Sequence, residues 1–350
     1  MNTMAISRDL EGRNAMTIQE IESACDASHP PNFTRNAFEV PELTHGAMFY
    51  PLGFPTDLRT NSPEILAQAH GLWSVFEKQF DTEPIRVSVH VQDGGSADCP
   101  PMPVVRIMLP LLVSTVDANN YSVANLEQCT TQVVLSREVA QQVRYLRFSL
   151  LGPSPLCHIA TRFSVAVHGG CVTRSGRGVL LCGDSGAGKS SLSYACARAG
   201  WTFVSDDVSF FLSNERGRLV TGNCHQIRFR HSARTLFPEL QGLESVPRAG
   251  GKPSIELPTA LLPHIRCAQT AQVDFLVFLN RCADKRPELV PYRRDVARQS
   301  MRQVMFGSAE SVAMHRAALA QLLTADVFEL RYSDLESAVD RLDTLAREGR

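Results

Sequence analysis

The chain has 350 residues, 44% of them apolar and 20% charged, and a net charge of −1. That apolar content supports a sizeable core and excludes disorder throughout, and the balanced charge excludes a protein whose main partner is nucleic acid. No apolar run approaches the ~20 residues of a bilayer span, and MNTMAISRDLEGRNAM lacks the apolar stretch of a secretory leader, so a cytoplasmic protein with no membrane partner is expected. The length predicts two domains. Residues 1–40 are polar, carry Pro30 and Pro31 and show no sustained periodicity, which predicts a mobile arm. Residues 41–155 predict an α+β domain with no assignable chemistry. Its elements are a helix over 61–80, an alternating strand at 85–93, a loop at 94–103, a strand pair or bent strand at 104–113 and a helix over 136–151.

Residues 156–350 read as α/β. RFSVAVHG (162–169), CVTR (171–174) and the wholly apolar GVLLC (178–182) read as strands. GDSGAGKSS follows, then a helix whose Leu192, Ala195, Cys196 and Ala199 share one apolar face and which Gly200 stops. WTFVSDD and VSFFLS read as strands before a hairpin turn at 214–217, and VDFLVFL (273–279) as a buried strand. Helices at 293–305, 310–323 and 334–347, with a strand at 327–332, complete an α/β sandwich. Residues 1–155 hold 10 basic and 17 acidic side chains and residues 156–350 hold 25 and 19, so either the two parts attract each other or the second attracts an anionic ligand.

Gly183, Asp184, Ser185, Gly186, Ala187, Gly188, Lys189 and Ser190 fit GxxxxGK[ST], preceded by a strand and followed by a helix. Glycines let backbone N–H groups converge on phosphate oxygens, and the helix turns its positive end to the anion. Lys189 reaches the β- and γ-phosphates, Ser190 offers its hydroxyl to Mg²⁺, and Ser191 completes the binding segment. The expected ligands are ATP and Mg²⁺. Only four of the 35 basic residues are lysine (Lys78, Lys189, Lys252 and Lys285), so each marks a place where a compact ammonium is kept.

Ser205-Asp206-Asp207 ends a strand that begins 12 residues after Lys189. A carboxylate there can hold Mg²⁺ or take the proton of an attacking hydroxyl. On an extended strand the two carboxylates point to opposite faces, so only one faces the phosphates squarely. The alternative is a loop or helix-cap pair. His168, 21 residues before Lys189, ends near the loop if SVAVH and GVLLC pair in one sheet; there it orients an Asp, and otherwise it is a core histidine.

VHG-x₈-GVLLCGDSGAGKSSLS-x₁₁-SDD resembles the catalytic core of HPr kinase/phosphorylase and its diverged relatives. The related nucleotide fold of phosphoenolpyruvate carboxykinase also has a hairpin before the loop and an Asp-Asp pair. The resemblance covers residues 160–235 closely. It implies a P-loop nucleotide-binding domain of this type, with ATP-dependent phosphoryl transfer to a serine of a protein or peptide, or to a small-molecule hydroxyl. It implies that Asp206 is the base and that His168 is the family histidine; Asp207 is then expected to help hold Mg²⁺ or its water shell. The family is often oligomeric, so the resemblance also implies a homo-oligomer. Where the family has E-x-R-G-x-G-x-I, HQIRFRHSARTLF (225–237) keeps Arg228 but has Gln226 in place of Glu and no glycines. The expected acceptor is therefore not HPr.

Gln226, Arg228 and Arg230 alternate along one strand face, where Arg228 or Arg230 clamps the transferring phosphate or the face is simply solvated. Lys252, in a Gly-Gly-Lys-Pro loop, closes over the phosphates or is an exposed tip. A basic run from Arg281 to Arg302 docks an acidic partner or is a solvated face. The ten cysteines are scattered singly and read as buried, reduced thiols. Two further functions fit the same loop, a nucleotide-gated regulatory module and an ATPase without an acceptor.

Overall fold

The computed structural model describes residues 17–26, 42–96, 98–212, 217–248, 251–282, 286–301 and 308–349, with the backbone alone at 247–248 and 251–252. The chain divides into two units: the described residues up to Ser74 with Phe80–His158, and Val75–Gln79 with the residues from Ile159 on.

In the first unit β1 (His45–Phe49), β2 (Thr56–Thr60), β3 (Ile85–Gln92), β4 (Val104–Met108), β5 (Leu111–Asp117), β6 (Asn120–Asn125) and β7 (Thr130–Ser136) form one sheet in the order β1-β2-β3-β7-β6-β5-β4. Strands β2, β3 and β7 run parallel. The helices are α1 (Ile18–Asp26), α2 (Pro63–Trp73), α3 (Arg137–Ala140), α4 (Val143–Ser149) and α5 (Pro153–His158). Helix α1 departs from the expected mobile arm. It buries Ile18 and Ile21 against Leu111, Val113 and Val123, and Arg106 of β4 pairs with Glu22 at 2.7 Å and Asp26 at 3.0 Å. Two isoleucines one turn apart make too short a stripe to register as periodicity. The rest of residues 1–40 lies outside the described residues. The expected helix over 136–151 breaks at Gln141–Gln142, and residues 104–113 resolve into a strand pair.

The second unit contains β8 (Ser164–Val167), β9 (Gly169–Arg174), β10 (Arg177–Cys182), β11 (Thr202–Ser205), β12 (Ser209–Leu212), β13 (Leu219–Gly222), β14 (Gln226–Phe229), β15 (Val246–Arg248), β16 (Gly251–Pro258), β17 (Arg266–Cys267), β18 (Thr270–Arg281), β19 (Glu288–Pro291) and β20 (Asp326–Tyr332). Its helices are α6 (Lys189–Arg198), α7 (Arg294–Ser300), α8 (Ala309–Leu322) and α9 (Leu335–Glu348). The main sheet runs β17-β11-β9-β10-β18-β13-β12-β8, with β20 also on β18 and β19 on β20, while β14-β16-β15 form a small separate sheet. Val179 and Leu181 of β10 pack with Leu192 and Cys196 of α6 and Leu342 and Leu345 of α9. Leu180 and Cys182 pack on the opposite face with Leu319 and Leu322 of α8. Helices thus cover both faces of β10, which is why this strand is apolar throughout instead of alternating. The unit is mixed α/β. Among the described residues, no helix is long and apolar enough to cross a membrane.

Candidate functional site

Strand β10 ends at Cys182, and the chain turns through residues 183–188 into α6. Gly183, Gly186 and Gly188 have φ of +139°, +99° and +103°, in the left-handed region that favours glycine. A Cβ on Gly188 would stand 2.5 Å from the Tyr332 hydroxyl. That hydroxyl, at the end of β20, donates to the Ala187 carbonyl at 3.0 Å and buttresses the loop from below. Lys189 is buried, and its Nζ donates to the carbonyls of Gly183 at 2.8 Å and Asp184 at 3.1 Å. The ammonium is therefore already folded over the loop. Burial lowers its pKa, and Arg230 adds to this.

The second element is the corner between β11 and β12. Ser205 and Ser209 flank it with their hydroxyls 2.6 Å apart. Ser209 Oγ donates to the Gly169 carbonyl at 2.9 Å, and Cys171 N–H donates to Ser205 Oγ at 3.0 Å. Both serines are buried, so this network ties residues 206–208 to β9. Gly170 permits the close approach, since a Cβ there would lie 2.4 Å from Ser193 Oγ and 3.0 Å from the Asp206 carbonyl. Gly170→Ala is expected to destabilise the protein by about 1–3 kcal/mol through overpacking; an unchanged urea midpoint would contradict this.

Asp206 and Asp207 diverge at the bend that follows β11. Asp206 is buried, and its Oδ2 accepts the Arg228 N–H at 2.8 Å. Burial outweighs that bond and pushes its carboxyl up to about 6. Asp207 turns into a cleft of ≈ 460 Å³, and its Oδ1 lies 3.4 Å from His168 Nδ1. His168 therefore partners Asp207, not Asp206. It sits at the corner where β8, paired with β12, turns into β9, paired with β10 and β11. Strands β8 and β10 do not pair directly; β9, which starts at Gly169 opposite Cys182, brings the histidine corner beside the end of the loop strand. Burial, then Lys189, lowers the imidazole pKa below its ordinary 6.5, so the ring is neutral at pH 7. In its Nδ1–H form it points a donor at the Asp207 carboxylate.

The raised Asp206 pKa has a stability consequence. Moving a carboxyl from 3.8 to about 6 favours the fold fully below pH 3.8 and loses that contribution as pH rises through 6. The loss is on the order of 3 kcal/mol. Asp206→Asn keeps an oxygen for the Arg228 amide and removes the titration. Its urea midpoint is expected to exceed that of wild type above pH 6 and to converge with it near pH 4; parallel pH profiles would contradict this.

The opposite wall of the cleft is built by β14 and β16. Arg228 lies opposite Glu256 in the ladder, with Nε 3.7 Å from Oε1. Gln226 is buried and donates to Glu256 Oε2 at 3.0 Å, so it is not on a solvated face. Strand β14 stops at Phe229, and Arg230 opens the following turn, where its Nη2 donates to Ser185 Oγ at 2.5 Å. The cleft gathers Ser185, Gly186, Gly188, Lys189, Ser190, Ser191, His168, Asp207, Arg228 and Arg230. Gly183, Asp184 and Ala187 shape the loop without lining the cleft. Arg281, at the end of β18, also lines it, although in sequence it reads only as part of a basic run. Lys285 and Arg302 of that run lie outside the described residues. The expected 249–253 loop includes the start of β16 at Gly251; residues 249–250 and the Lys252 side chain lie outside the described residues.

No family model matches the chain, and no curated protein matches it. Among solved structures it is similar to the Hpr(Ser) kinase/phosphatase from Coxiella burnetii, with 14% identity and a TM-score of 0.30 over 53% of this chain and 93% of that one. A likeness at that level assigns no role to any residue here.

Oxygen donors suited to a hard cation stand at one end of the cleft. Ser190 Oγ lies 3.5 Å from the Asp206 backbone carbonyl, and the Asp207 carboxylate lines the same cleft. Among the described residues no group of three or more histidine, cysteine and acidic side chains forms a cation cage. A Mg²⁺ held by one or two protein oxygens and completed by phosphate oxygens fits such a donor set.

Proposed function

We propose that the protein is an ATP- and Mg²⁺-dependent kinase that transfers the γ-phosphoryl group to a hydroxyl, a serine of a protein or peptide. The observation that carries this reading is the Asp207–His168 pair facing a cleft whose other side is the Lys189 loop. Backbone amides of residues 183–190 and the Lys189 ammonium bind the triphosphate, and Arg228, Arg230 and Arg281 neutralise its remaining charge. Ser190 and the Asp206 backbone carbonyl would hold Mg²⁺, which supplies further charge neutralisation on the phosphates. A cation beside the buried Asp206 would offset the burial that penalises its ionised form. The acceptor oxygen attacks the γ-phosphorus, Asp207 takes the hydroxyl proton, and ADP leaves as the phosphoester forms. His168 orients and supports that carboxylate. Relative to the roles expected from the sequence, the two aspartates exchange places, because the histidine lies at Asp207.

The test is incubation of native cell extract with γ-labelled ATP and either wild type or Asp207→Asn, followed by mass spectrometry of the labelled material. Label as phosphoserine on one acceptor, lost with the variant, is expected. Label recovered only as inorganic phosphate, as for a bare ATPase, or nowhere, as for a nucleotide-gated module, would overturn the reading.

A further inference from the structure

Between β13 and β17 the chain leaves the main sheet, and this excursion, residues 225–265, carries the cleft wall built from β14 and β16. Its neck is narrow. Gly222 N–H and Thr221 Oγ1 both donate to the Gln269 carbonyl, at 3.2 and 3.0 Å. Thr259 N–H donates to the His225 carbonyl at 3.0 Å and its Oγ1 to the Cys224 carbonyl at 2.9 Å. Strand β17 pairs with β11, with Cys267 opposite Phe203. Two cysteines thus stand where the excursion departs and returns. Cys224 is 1% exposed while Cys267 is exposed, and the antiparallel register that sets Thr221 against Thr270 and ties Gly222 to Gln269 leads Cys224 and Cys267 toward each other at the neck.

We propose that Cys224 and Cys267 are a reversible dithiol/disulfide site, oxidised by exchange with a low-molecular-weight disulfide of the glutathione type, and that the bond staples the neck of the cleft wall. Exposure assigns the order of steps. The Cys267 thiolate attacks glutathione disulfide, forming a mixed disulfide and releasing one glutathione thiolate, which takes up a proton. Cys224, shielded from solvent but in contact with Cys267, then attacks the Cys267 sulfur. The second glutathione leaves with the Cys224 proton, so the protein loses two electrons and two protons and the reagent gains both. The neighbouring Cys224 thiol lowers the Cys267 pKa from its ordinary value, which suits it to the first step. By contrast Cys171 and Cys182, neighbours across β9 and β10, are both buried and offer an external disulfide no thiol to reach.

The full chain is equilibrated in oxidised or reduced glutathione, alkylated and mapped by mass spectrometry. The expected product in oxidised buffer is a peptide pair linked through Cys224 and Cys267 and free of glutathione, reversed by reduced glutathione. Cys224→Ser is expected to stop at a single glutathione adduct on Cys267, and Cys267→Ser to form neither adduct nor link. The oxidised wild type is expected to unfold roughly 5–10 °C higher, because the bond closes a loop spanning the whole excursion, and amide exchange over β14 and β16 is expected to slow. A wild-type protein that retains a glutathione adduct on Cys267 with Cys224 still alkylatable, that links other cysteines instead, or that keeps both thiols free would overturn the proposal. These readouts involve no nucleotide, so the outcome is independent of the kinase reading.

Discussion

Lys189→Met is expected to abolish measurable phosphoryl transfer and to weaken ATP binding while leaving the fold intact. The ammonium is the one cation inside the loop, held 2.8 Å and 3.1 Å from the carbonyls of Gly183 and Asp184. It can exchange those carbonyls for phosphate oxygens with little rearrangement. Removing one preorganised donor that faces developing charge costs about 10²–10³-fold in rate. Methionine keeps the packing of the buried stem and deletes only the charge. Circular dichroism and the urea midpoint should therefore stay near those of wild type. A Lys189→Met protein that turns over normally would remove the loop from the chemistry.

The second large effect is at Asp207. Asp207→Asn retains the shape and the contact with His168 but accepts no proton, and transfer is expected to fall about 10²–10⁴-fold with nucleotide affinity nearly unchanged. Asp206→Asn is the informative contrast, because its side chain faces the Arg228 amide and not the cleft. At saturating Mg²⁺ it is expected to keep far more activity than Asp207→Asn. The reverse ranking in steady-state rates would return the base to Asp206.

The chemistry-bearing segments are mostly local in sequence, and this is why they could be read. The apolar GVLLC, the glycine-rich turn and the helix behind it fall within one stretch, and Gly200 stops α6 with φ +86° as its position suggests. The face of α6 was legible only in part. Leu192 and Cys196 are buried, but Ala199 lies past the last helical residue and is exposed, while Tyr194 is buried by Phe229 and Phe237 from the excursion. Which aspartate meets His168 was not legible. Both lie beyond Ser205, the last residue of β11, where strand alternation no longer dictates direction and a serine network sets the corner. Glu256 beside Arg228 and Arg281 at the mouth of the cleft come from strands distant in sequence, and no local pattern announces a cross-strand partner 30 residues from Gln226. The Cys224–Cys267 contact escaped for the same reason.

Calorimetric titration of ATP with Mg²⁺ into wild type and Lys189→Met tests most directly whether the turn after β10 grips a triphosphate. Saturation at one nucleotide per chain in the wild type, with affinity at least about tenfold weaker in the variant, corresponding to ~1.4 kcal/mol, is the predicted result. No saturable binding, or equal affinity in the two proteins, would contradict it.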